Sequence, residues 1–350
     1  MVDIDELKKE LEVFRKEIES LKKVLEKKIK ACNRVVIIPH AHSDMDAIGS
    51  AIGLSLIATK FGKPYTIIND DPSELIEAGV KRILNDCDGR YEIMSKDKYL
   101  QKKQGKELFI LTDVNKSDLI TVNDILPNSE NIIIIDHHET GDTTVNANHK
   151  FINTRRSSAC EIITDLLESM EIIIPCDVAT YLYAGIFLDT ARLTKPKNGL
   201  SLYKVADLIN DGANTNKVNE FFTESVQSYL KVHESIKNIK IYSCMIGIIK
   251  TKEDVEYVKE ELSKIADEAM KFGVEASFAI GRRNDNKIGI SGRSAGNIDI
   301  DYIMKKFGGG GSDTSGAAGI DNSTIDEVNN QLIKILTPTY FKRRDNNEKR

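Results

Sequence analysis

Apolar residues recur at alternating spacings of three and four along the first 30 residues, with lysine and glutamate between them. The positions are Ile4, Leu7, Leu11, Phe14, Ile18, Leu21 and Leu25. This spacing predicts an amphipathic or coiled-coil helix over residues 1–32. Such a stripe packs either against a second copy of the chain or against the body of its own protein. We expect a homodimer, with packing on the chain's own body as the alternative.

Short β-branched runs alternate with helical stretches from residue 34 onward. The runs "RVVIIP", "YTIIND", "ELFILTD" and "NIIIID" predict strands, and "DAIGSAIGLSLIATKFG" predicts a helix after the first of them. Further helices are predicted in "SSACEIITDLLESM" and "VATYLYAGIFLDTARL". Continuous apolar runs separated by helices are typical of a parallel sheet that is covered on both faces.

The C-terminal third predicts a second, smaller α/β domain. Polar helices over about 201–240 precede the strand-like runs "IKIYSCMIGIIK", "EASFAIGRRND" and "KIGISGRSA" and the glycine run "KKFGGGGSDTSGAAG". The predicted divisions are a helix at 1–32, a catalytic domain at 33–195, a helical connector at 196–240, a substrate-binding domain at 241–340 and a charged tail at 341–350.

Composition limits the kinds of partner. The 350 residues carry 49 basic and 54 acidic side chains, a formal charge of −5. A broad basic surface for duplex nucleic acid is therefore not expected. The composition allows a local cationic pocket, and small anionic ligands fit it better than duplexes do. No apolar run reaches the 18 or more residues of a membrane span, and no hydrophobic signal region is present, so we expect a cytoplasmic protein without a membrane partner. The five cysteines are scattered and predict reduced thiols.

Acidic and imidazole side chains follow three of the predicted strands. The carboxyl ends of parallel strands share one edge of a sheet, where ligands collect. The expected cluster contains Asp44, Asp46, Asp113, Asp136 and Asp189. Two carboxylates about 4 Å apart repel by roughly 4 kcal/mol at an effective dielectric near 20, so such a cluster requires a cation. The number of donors exceeds the need of one ion, and two ions are expected.

A less specific interpretation applies to each motif alone. Asp44 also suits the cap of the following helix, and a lone D-x-D motif is often an exposed strand end. The adjacent pair His137 and His138 directly after Asp136 has no packing purpose at a strand end, and it favours a metal site. Mixed imidazole and carboxylate donors suit manganese or iron.

The order of the motifs resembles the DHH phosphoesterase superfamily. The matching residues are His40, Asp44, Asp46, Ala47 and Gly49, then Asp113, then Asp136, His137 and His138, then Gly185, Asp189 and Thr190. The resemblance covers about residues 33–320. It implies a DHH domain and a smaller DHH-associated domain, with two Mn²⁺ ions in the cleft between them; Mg²⁺ and Fe²⁺ are second choices.

The resemblance also implies roles for single residues. His40 and Asp44 are similar to the ligands of one metal, and Asp46 and His137 to those of the other. Asp113 is similar to the bridging aspartate and Asp189 to the last ligand. Asp136 then orients an imidazole, and His138 faces the substrate phosphate. His42 is interpreted either as a substrate contact or as a solvent-exposed residue.

The second domain departs from the family pattern. Ser291, Arg293 and Ser294 match an arginine-serine element that holds substrate. The glycine loop of the family continues into a histidine, which is missing here. The predicted substrate residues of this loop are Gly309, Gly310, Gly311 and Ser312. Glycines allow backbone N–H groups to approach a phosphate, and the alternative is a flexible surface loop.

Within the superfamily, "DVNKSDL" and "NIIIIDHHETGD" look most like the cyclic-di-AMP phosphodiesterases. We therefore predict a manganese-dependent enzyme that hydrolyses a cyclic dinucleotide, cyclic di-AMP, to the linear dinucleotide by dimetal-activated water. The first alternative is a nanoRNase that also dephosphorylates 3′-phosphoadenosine 5′-phosphate, and the second is a nucleotide-binding sensor with little turnover.

Overall fold

The computed structural model describes residues 4–72, 76–103, 105–242 and 245–337, and for residues 4–11 it describes the backbone only. The chain divides into two compact units, residues 1–223 and 224–350, and each is considered by itself.

The first unit consists of a parallel sheet with helices on its faces. Its helices are α1 (Ile4–Lys30), α2 (Met45–Lys60), α3 (Ala78–Asp86), α4 (Lys96–Lys102), α5 (Ala159–Ser169), α6 (Cys176–Asp189), α7 (Leu200–Asn210) and α8 (Thr215–Phe221). Its strands are β1 (Arg34–Ile38), β2 (Tyr65–Ile68), β3 (Ile93–Met94), β4 (Glu107–Thr112), β5 (Ile132–Asp136) and β6 (His149–Ile152). The predicted α/β class and N-terminal helix are confirmed.

All six strands are parallel, in the order β3-β2-β1-β4-β5-β6. Burial on both faces explains the unbroken apolar runs. In β1, Val35 and Ile37 belong to one core, and Val36 and Ile38 to the core on the opposite face. The order of the strands reverses between β1 and β4. The connections after these two strands leave in opposite directions, and the carboxyl ends of strands at such a reversal are where α/β sheets bind ligands.

Helix α1 packs on the first unit. Phe14, Ile18, Leu21, Leu25 and Ile29 are all buried, and the last four belong to the main core of this unit. This part of the stripe therefore follows the alternative interpretation, packing on the chain's own body. The side chains of Ile4, Leu7 and Leu11 lie outside the described residues. The homodimer and the cytoplasmic location remain predictions.

Replacing Leu25 with alanine is expected to lower the free energy of unfolding by about 2–5 kcal/mol, because a fully buried side chain leaves a cavity. Chemical denaturation measures the loss. The exposed Val13→Ala variant, on the same helix, is the control and should change stability by less than about 0.5 kcal/mol. Equal stability of the Leu25→Ala variant and the unmodified chain would contradict the packing of α1 on this core.

The second unit contains a mixed sheet. Its helices are α9 (Val226–Ile236), α10 (Lys259–Met270), α11 (Ile300–Lys305) and α12 (Ile325–Leu336). Its strands are β7 (Ile239–Tyr242), β8 (Ile246–Lys250), β9 (Glu256–Tyr257), β10 (Ala276–Arg283), β11 (Ile288–Ser294), β12 (Gly310–Gly311) and β13 (Ser315–Ile320). The order is β12-β13-β11-β10-β8-β7, with β9 paired to β10. Only β8 and β9 run parallel to β10.

Two elements of the second unit differ from the sequence prediction. The run predicted as one strand over 239–250 forms two antiparallel strands, β7 and β8. The glycine run forms the antiparallel pair β12 and β13. At Gly309 and Gly311 an added Cβ would lie 2.1 Å from the carbonyl oxygens of Ala317 and Ser315, so close backbone approach explains these glycines.

The helices predicted as a connector divide between the units. Val205 and Leu208 of α7 and Phe221 of α8 lie in the core of the first unit, whereas Val232 and Ile236 of α9 lie in a core of the second. The predicted tail, residues 341–350, lies outside the described residues. Among the described residues, no helix combines the length and the apolar character needed to cross a bilayer.

Candidate metal centre

Six predicted ligands converge at the carboxyl edge of the first sheet. They form two groups whose donor atoms lie within 4.8 Å of one another: His40, Asp44 and Asp113 in the first, and Asp46, His137 and Asp189 in the second. Asp113 connects the groups. Its Oδ2 lies 3.5 Å from Nε2 of His40, and its Oδ1 lies 3.1 Å from Nε2 of His137.

The turn after β1 presents His40. Its Nδ1 lies 2.8 Å from the carbonyl oxygen of Ala41, which can only accept a hydrogen bond, so Nδ1–H donates and Nε2 faces Asp113. The carboxylate of Asp71 accepts the backbone N–H groups of His42 (2.7 Å) and Ser43 (2.8 Å). This contact stabilises the left-handed backbone of His42, whose φ is 55°. The His42 residue is exposed.

Asp44 caps α2, and its second carboxylate oxygen lies in the cluster. Its Oδ1 accepts the backbone N–H groups of Asp46 (2.8 Å) and Ala47 (3.0 Å) and so caps α2. Its Oδ2 lies 3.7 Å from Nε2 of His40. The cap fixes the carboxylate with its second oxygen in the cluster.

Asp46 is fully buried against the first turn of α5. Its Oδ2 accepts the N–H of Ala159 (2.6 Å) and its Oδ1 accepts the N–H of Cys160 (2.8 Å). Free N–H groups and the positive end of the helix dipole stabilise a carboxylate at a helix N-terminus. These backbone donors could not be predicted from the sequence, because backbone groups leave no mark in a residue pattern.

Asp136 contacts imidazole and backbone groups. Its Oδ1 lies 2.9 Å from Nδ1 of His138 and accepts the N–H of His137 at 2.7 Å. Its Oδ2 accepts a hydrogen bond of 2.6 Å from Nδ2 of Asn115. Asn115 is buried and also donates to the carbonyl oxygen of His138. Neither Asn115 nor Asp71 was identified from the sequence; their one signal is a position just after a predicted strand.

Replacing Asn115 with alanine is expected to lower turnover and metal affinity by about 10- to 100-fold, the usual effect of removing a group that orients metal ligands. The loss of its hydrogen bonds frees the Asp136 carboxylate and the His138 backbone. Steady-state kinetics and metal titration measure both effects. Asn148 is an exposed asparagine of the same unit, and the Asn148→Ala variant should have the turnover and metal affinity of the unmodified chain. An equal loss in both variants would contradict the role of Asn115 in orienting the ligands.

The buried carboxylates and imidazoles of this cluster shift one another's pKa values. Burial raises the pKa of Asp46 well above its usual value, and the negative charges of Asp113 and Asp189 raise it further. Burial lowers the pKa of both histidines, but neighbouring carboxylates outweigh burial and raise the pKa to about 12 at His40 and about 11 at His137. Protons on the two imidazoles therefore supply the counter-charge that a divalent cation supplies when it binds.

Unsatisfied polar atoms also fit a metal centre. Among the described residues, both ring nitrogens of His137 and Oδ1 of Asp113 are buried without a hydrogen-bond partner. Nε2 of His137 and this oxygen lie 3.1 Å apart, but they are not aligned as donor and acceptor. Buried ligand atoms that lie close together without hydrogen-bond partners are expected of a metal site, and the cluster fits a site for two ions.

The predicted substrate residues of the second unit belong to one sheet, in which β13 lies between β11 and β12. The N–H of Ser294 in β11 donates to the carbonyl oxygen of Thr314, in the turn between β12 and β13. The Ser294 hydroxyl accepts the N–H groups of Gly296 and Ile298. Arg293 makes a forked ion pair with Asp267, at 2.7 Å through Nε and 3.1 Å through Nη2. No sequence motif marks Asp267 as a partner of Arg293.

Gly309, Gly310, Gly311 and Ser312 form one side of the hairpin. The N–H of Gly309 donates to the carbonyl oxygen of Met304, and the N–H of Ser312 donates to that of Ser315. The N–H of Gly311 donates to Oδ1 of Asp301 at 3.1 Å. These three N–H groups are therefore engaged within the second unit.

Comparison with known proteins agrees with the motifs. Residues 34–186 match the family described as "DHH family, N-terminal domain", and residues 217–337 match the "DHHA1 domain". The chain therefore carries a DHH domain followed by a DHHA1 domain.

Individual relatives differ in how much of their length is matched. The cyclic-di-AMP phosphodiesterase GdpP of Geobacillus thermodenitrificans is 29% identical over 88% of this chain, and the chain spans 48% of the length of GdpP. The bifunctional oligoribonuclease and PAP phosphatase NrnA of Mycoplasma genitalium is 25% identical over 88% of this chain and 95% of NrnA. The crystal structure of an exopolyphosphatase-related protein from Bacteroides fragilis has the same fold, with a TM-score of 0.77, 21% identity and coverage of 91% of this chain and 97% of that one.

Proposed function

We propose that this chain is a manganese-dependent phosphodiesterase that hydrolyses cyclic di-AMP to the linear dinucleotide. The observation that carries the proposal is the shared carboxylate of Asp113, with one oxygen toward each of two ligand groups. The similarity to GdpP supports cyclic di-AMP as the substrate. Two imidazoles among four carboxylates favour manganese over magnesium, which prefers oxygen ligands.

In this proposal His40 and Asp44 would hold one ion, and Asp46, His137 and Asp189 would hold the other. Asp113 would contribute a ligand to both. When bound, the ions supply an activated water and stabilise charge on the phosphoryl oxygens. Asp136 accepts a hydrogen bond from Nδ1 of His138 and so leaves Nε2 free for the substrate phosphate. The His138 side chain is 54% exposed, as a group that meets substrate has to be.

Substrate contacts from the second unit and from His42 are also part of the proposal. Arg293, Ser294, Gly309, Gly310, Gly311 and Ser312 form the proposed phosphate- or base-binding element. Because Asp267 occupies the fork of Arg293, a substrate phosphate has to compete with this carboxylate for the guanidinium. This competition favours a doubly or multiply charged ligand over a neutral one.

A second candidate function is hydrolysis of very short RNA and of 3′-phosphoadenosine 5′-phosphate. Its support is the match to NrnA, which extends over 95% of that protein. The same metal centre serves both reactions, and the difference lies in whether the substrate presents a closed ring or a free end.

The test is hydrolysis of cyclic di-AMP, its linear dinucleotide and 3′-phosphoadenosine 5′-phosphate side by side, with Mn²⁺ or with chelator, followed by chromatography. Fastest cleavage of the ring, abolished by chelator, is the expected result. Faster cleavage of the two linear substrates would replace the first proposal with the second. Binding of cyclic di-AMP without turnover of any substrate would indicate a nucleotide sensor.

A further inference from the structure

We propose that helix α1 positions the metal centre through residues 153–158, here called the connecting segment. This segment joins the end of β6 to the start of α5. The inference rests on the proposed function, because it assigns α1 a role toward the metal ligands Asp46 and His137. In this proposal the N-terminal helix positions metal ligands in addition to covering the core.

Phe14 of α1 makes the first contact with the connecting segment. Its buried ring is flanked by two guanidinium groups, with the central carbons of Arg155 and Arg156 at 4.5 and 4.4 Å from the ring centroid. Arg156 is itself buried and forms an ion pair with Asp165 of α5. A cation over an aromatic face is attracted by the ring quadrupole, and burial strengthens that attraction.

Glu17 makes the second contact, one turn further along α1. Its Oε2 accepts a hydrogen bond of 2.8 Å from Nδ2 of Asn153, and its Oε1 lies 3.5 Å from a guanidinium nitrogen of Arg155. Asn153 is buried, and its own Oδ1 accepts the N–H of Arg155 at 3.1 Å. The side chain of Glu17 therefore fixes the start of the connecting segment.

The other side of the connecting segment contacts the metal centre at both of its ends. At the start, the N–H of Asn153 donates to the carbonyl oxygen of Asp136, the residue before His137. At the end, Ser158 caps α5, whose next two N–H groups hold the carboxylate of Asp46. A displacement of the segment therefore moves the backbone before one ligand and the hydrogen-bond donors of another.

Metal sites are sensitive to such displacements, because ligand geometry has to be held within about 0.5 Å for full affinity. Groups that orient metal ligands typically change metal affinity by about 10- to 100-fold when they are removed. The same range is expected when α1 no longer holds the connecting segment.

The experiment measures Mn²⁺ affinity of the full chain by calorimetry, in the absence of any substrate. The test variants are Glu17→Ala, whose side chain is only half-buried, and the double variant Phe14→Leu with Glu17→Ala, in which leucine retains apolar bulk without the aromatic face. We expect at least about a tenfold loss of Mn²⁺ affinity in the double variant and a smaller loss in Glu17→Ala. Glu17→Gln keeps an acceptor for Asn153 and should restore most of the affinity.

Leu25→Ala is the matched control, because it weakens the packing of α1 without touching the connecting segment. Measured well below its unfolding temperature, this variant should bind Mn²⁺ like the unmodified chain. Equal Mn²⁺ affinity in the unmodified chain and the double variant would overturn the inference and leave the proposed function intact. An equal loss of Mn²⁺ affinity in the Leu25→Ala variant would mean that the effect follows from lower stability, and this result would also overturn the inference. If the unmodified chain binds no Mn²⁺, both the inference and the proposed function fail.

Discussion

Replacing Asp113 with asparagine is expected to lower Mn²⁺-dependent hydrolysis by about 10³-fold or more and to reduce the number of bound Mn²⁺ ions from two to one. Asparagine has a single side-chain oxygen, so it cannot present one to each ligand group as Asp113 does. Several kcal/mol of charge stabilisation by the paired ions would be lost, and about 1.4 kcal/mol corresponds to each factor of ten. Steady-state kinetics and Mn²⁺ titration measure the two effects.

The fold should survive this replacement. Asp113 has a φ of 58°, and asparagine is among the few residues that adopt this left-handed conformation at small cost. Asp142→Asn, at an exposed position of the same unit, is the control for loss of one negative charge. Undiminished turnover by Asp113→Asn with two bound ions would rule out the bridging role.

Replacing Gly185 with alanine is expected to destabilise the chain by about 1–3 kcal/mol, the usual cost of overpacking a core. A Cβ at this position would lie 2.5 Å from Sγ of Cys160 and 2.8 Å from both Cα and Oδ1 of Asp46. Asp46 lies in α2, and its Cα is one of the atoms that the added methyl group would meet. The methyl group therefore pushes α6 away from α2 and displaces a proposed ligand. Mn²⁺ affinity should therefore fall together with stability.

Chemical denaturation and Mn²⁺ titration measure the two losses. Gly199→Ala is the control, since an added Cβ meets no atom within 4 Å there and the backbone of Gly199 is right-handed. Wild-type stability in the Gly185→Ala variant would mean that α2 and α6 do not approach as closely as described.

Much of the first unit is predictable from its sequence. The runs at β1, β4 and β5 are short, apolar and buried on both faces, and their length favours strands over helices. Once these strands are taken as parallel, residues that follow them have to share one edge. For this reason His40, Asp113 and His137 were placed together although they are far apart in the chain.

Other features leave no comparable pattern. Asn115 and Asp71 are single polar residues in loops, and their roles depend on which strand end lies beside them. The heptad spacing of α1 defines an apolar stripe but not its partner, which the structure shows to be the chain's own core from Phe14 onward. The glycine run has the composition of a loop, and only the close approach of Gly309 and Gly311 to β13 shows why those residues are glycine.

The distribution of the proposed ligands along the chain links metal supply to the lifetime of the protein. The ligands lie between His40 and Asp189 and come from four separate segments, so an unfolded chain contains no assembled site. A metal that binds only the folded chain favours that state by mass action, by about 2.7 kcal/mol at a metal concentration 100 times the dissociation constant. Proteases degrade mainly opened molecules, and the opened fraction falls about 100-fold with that gain. Cells starved of the metal should therefore contain less of this protein, before any effect on its catalytic rate.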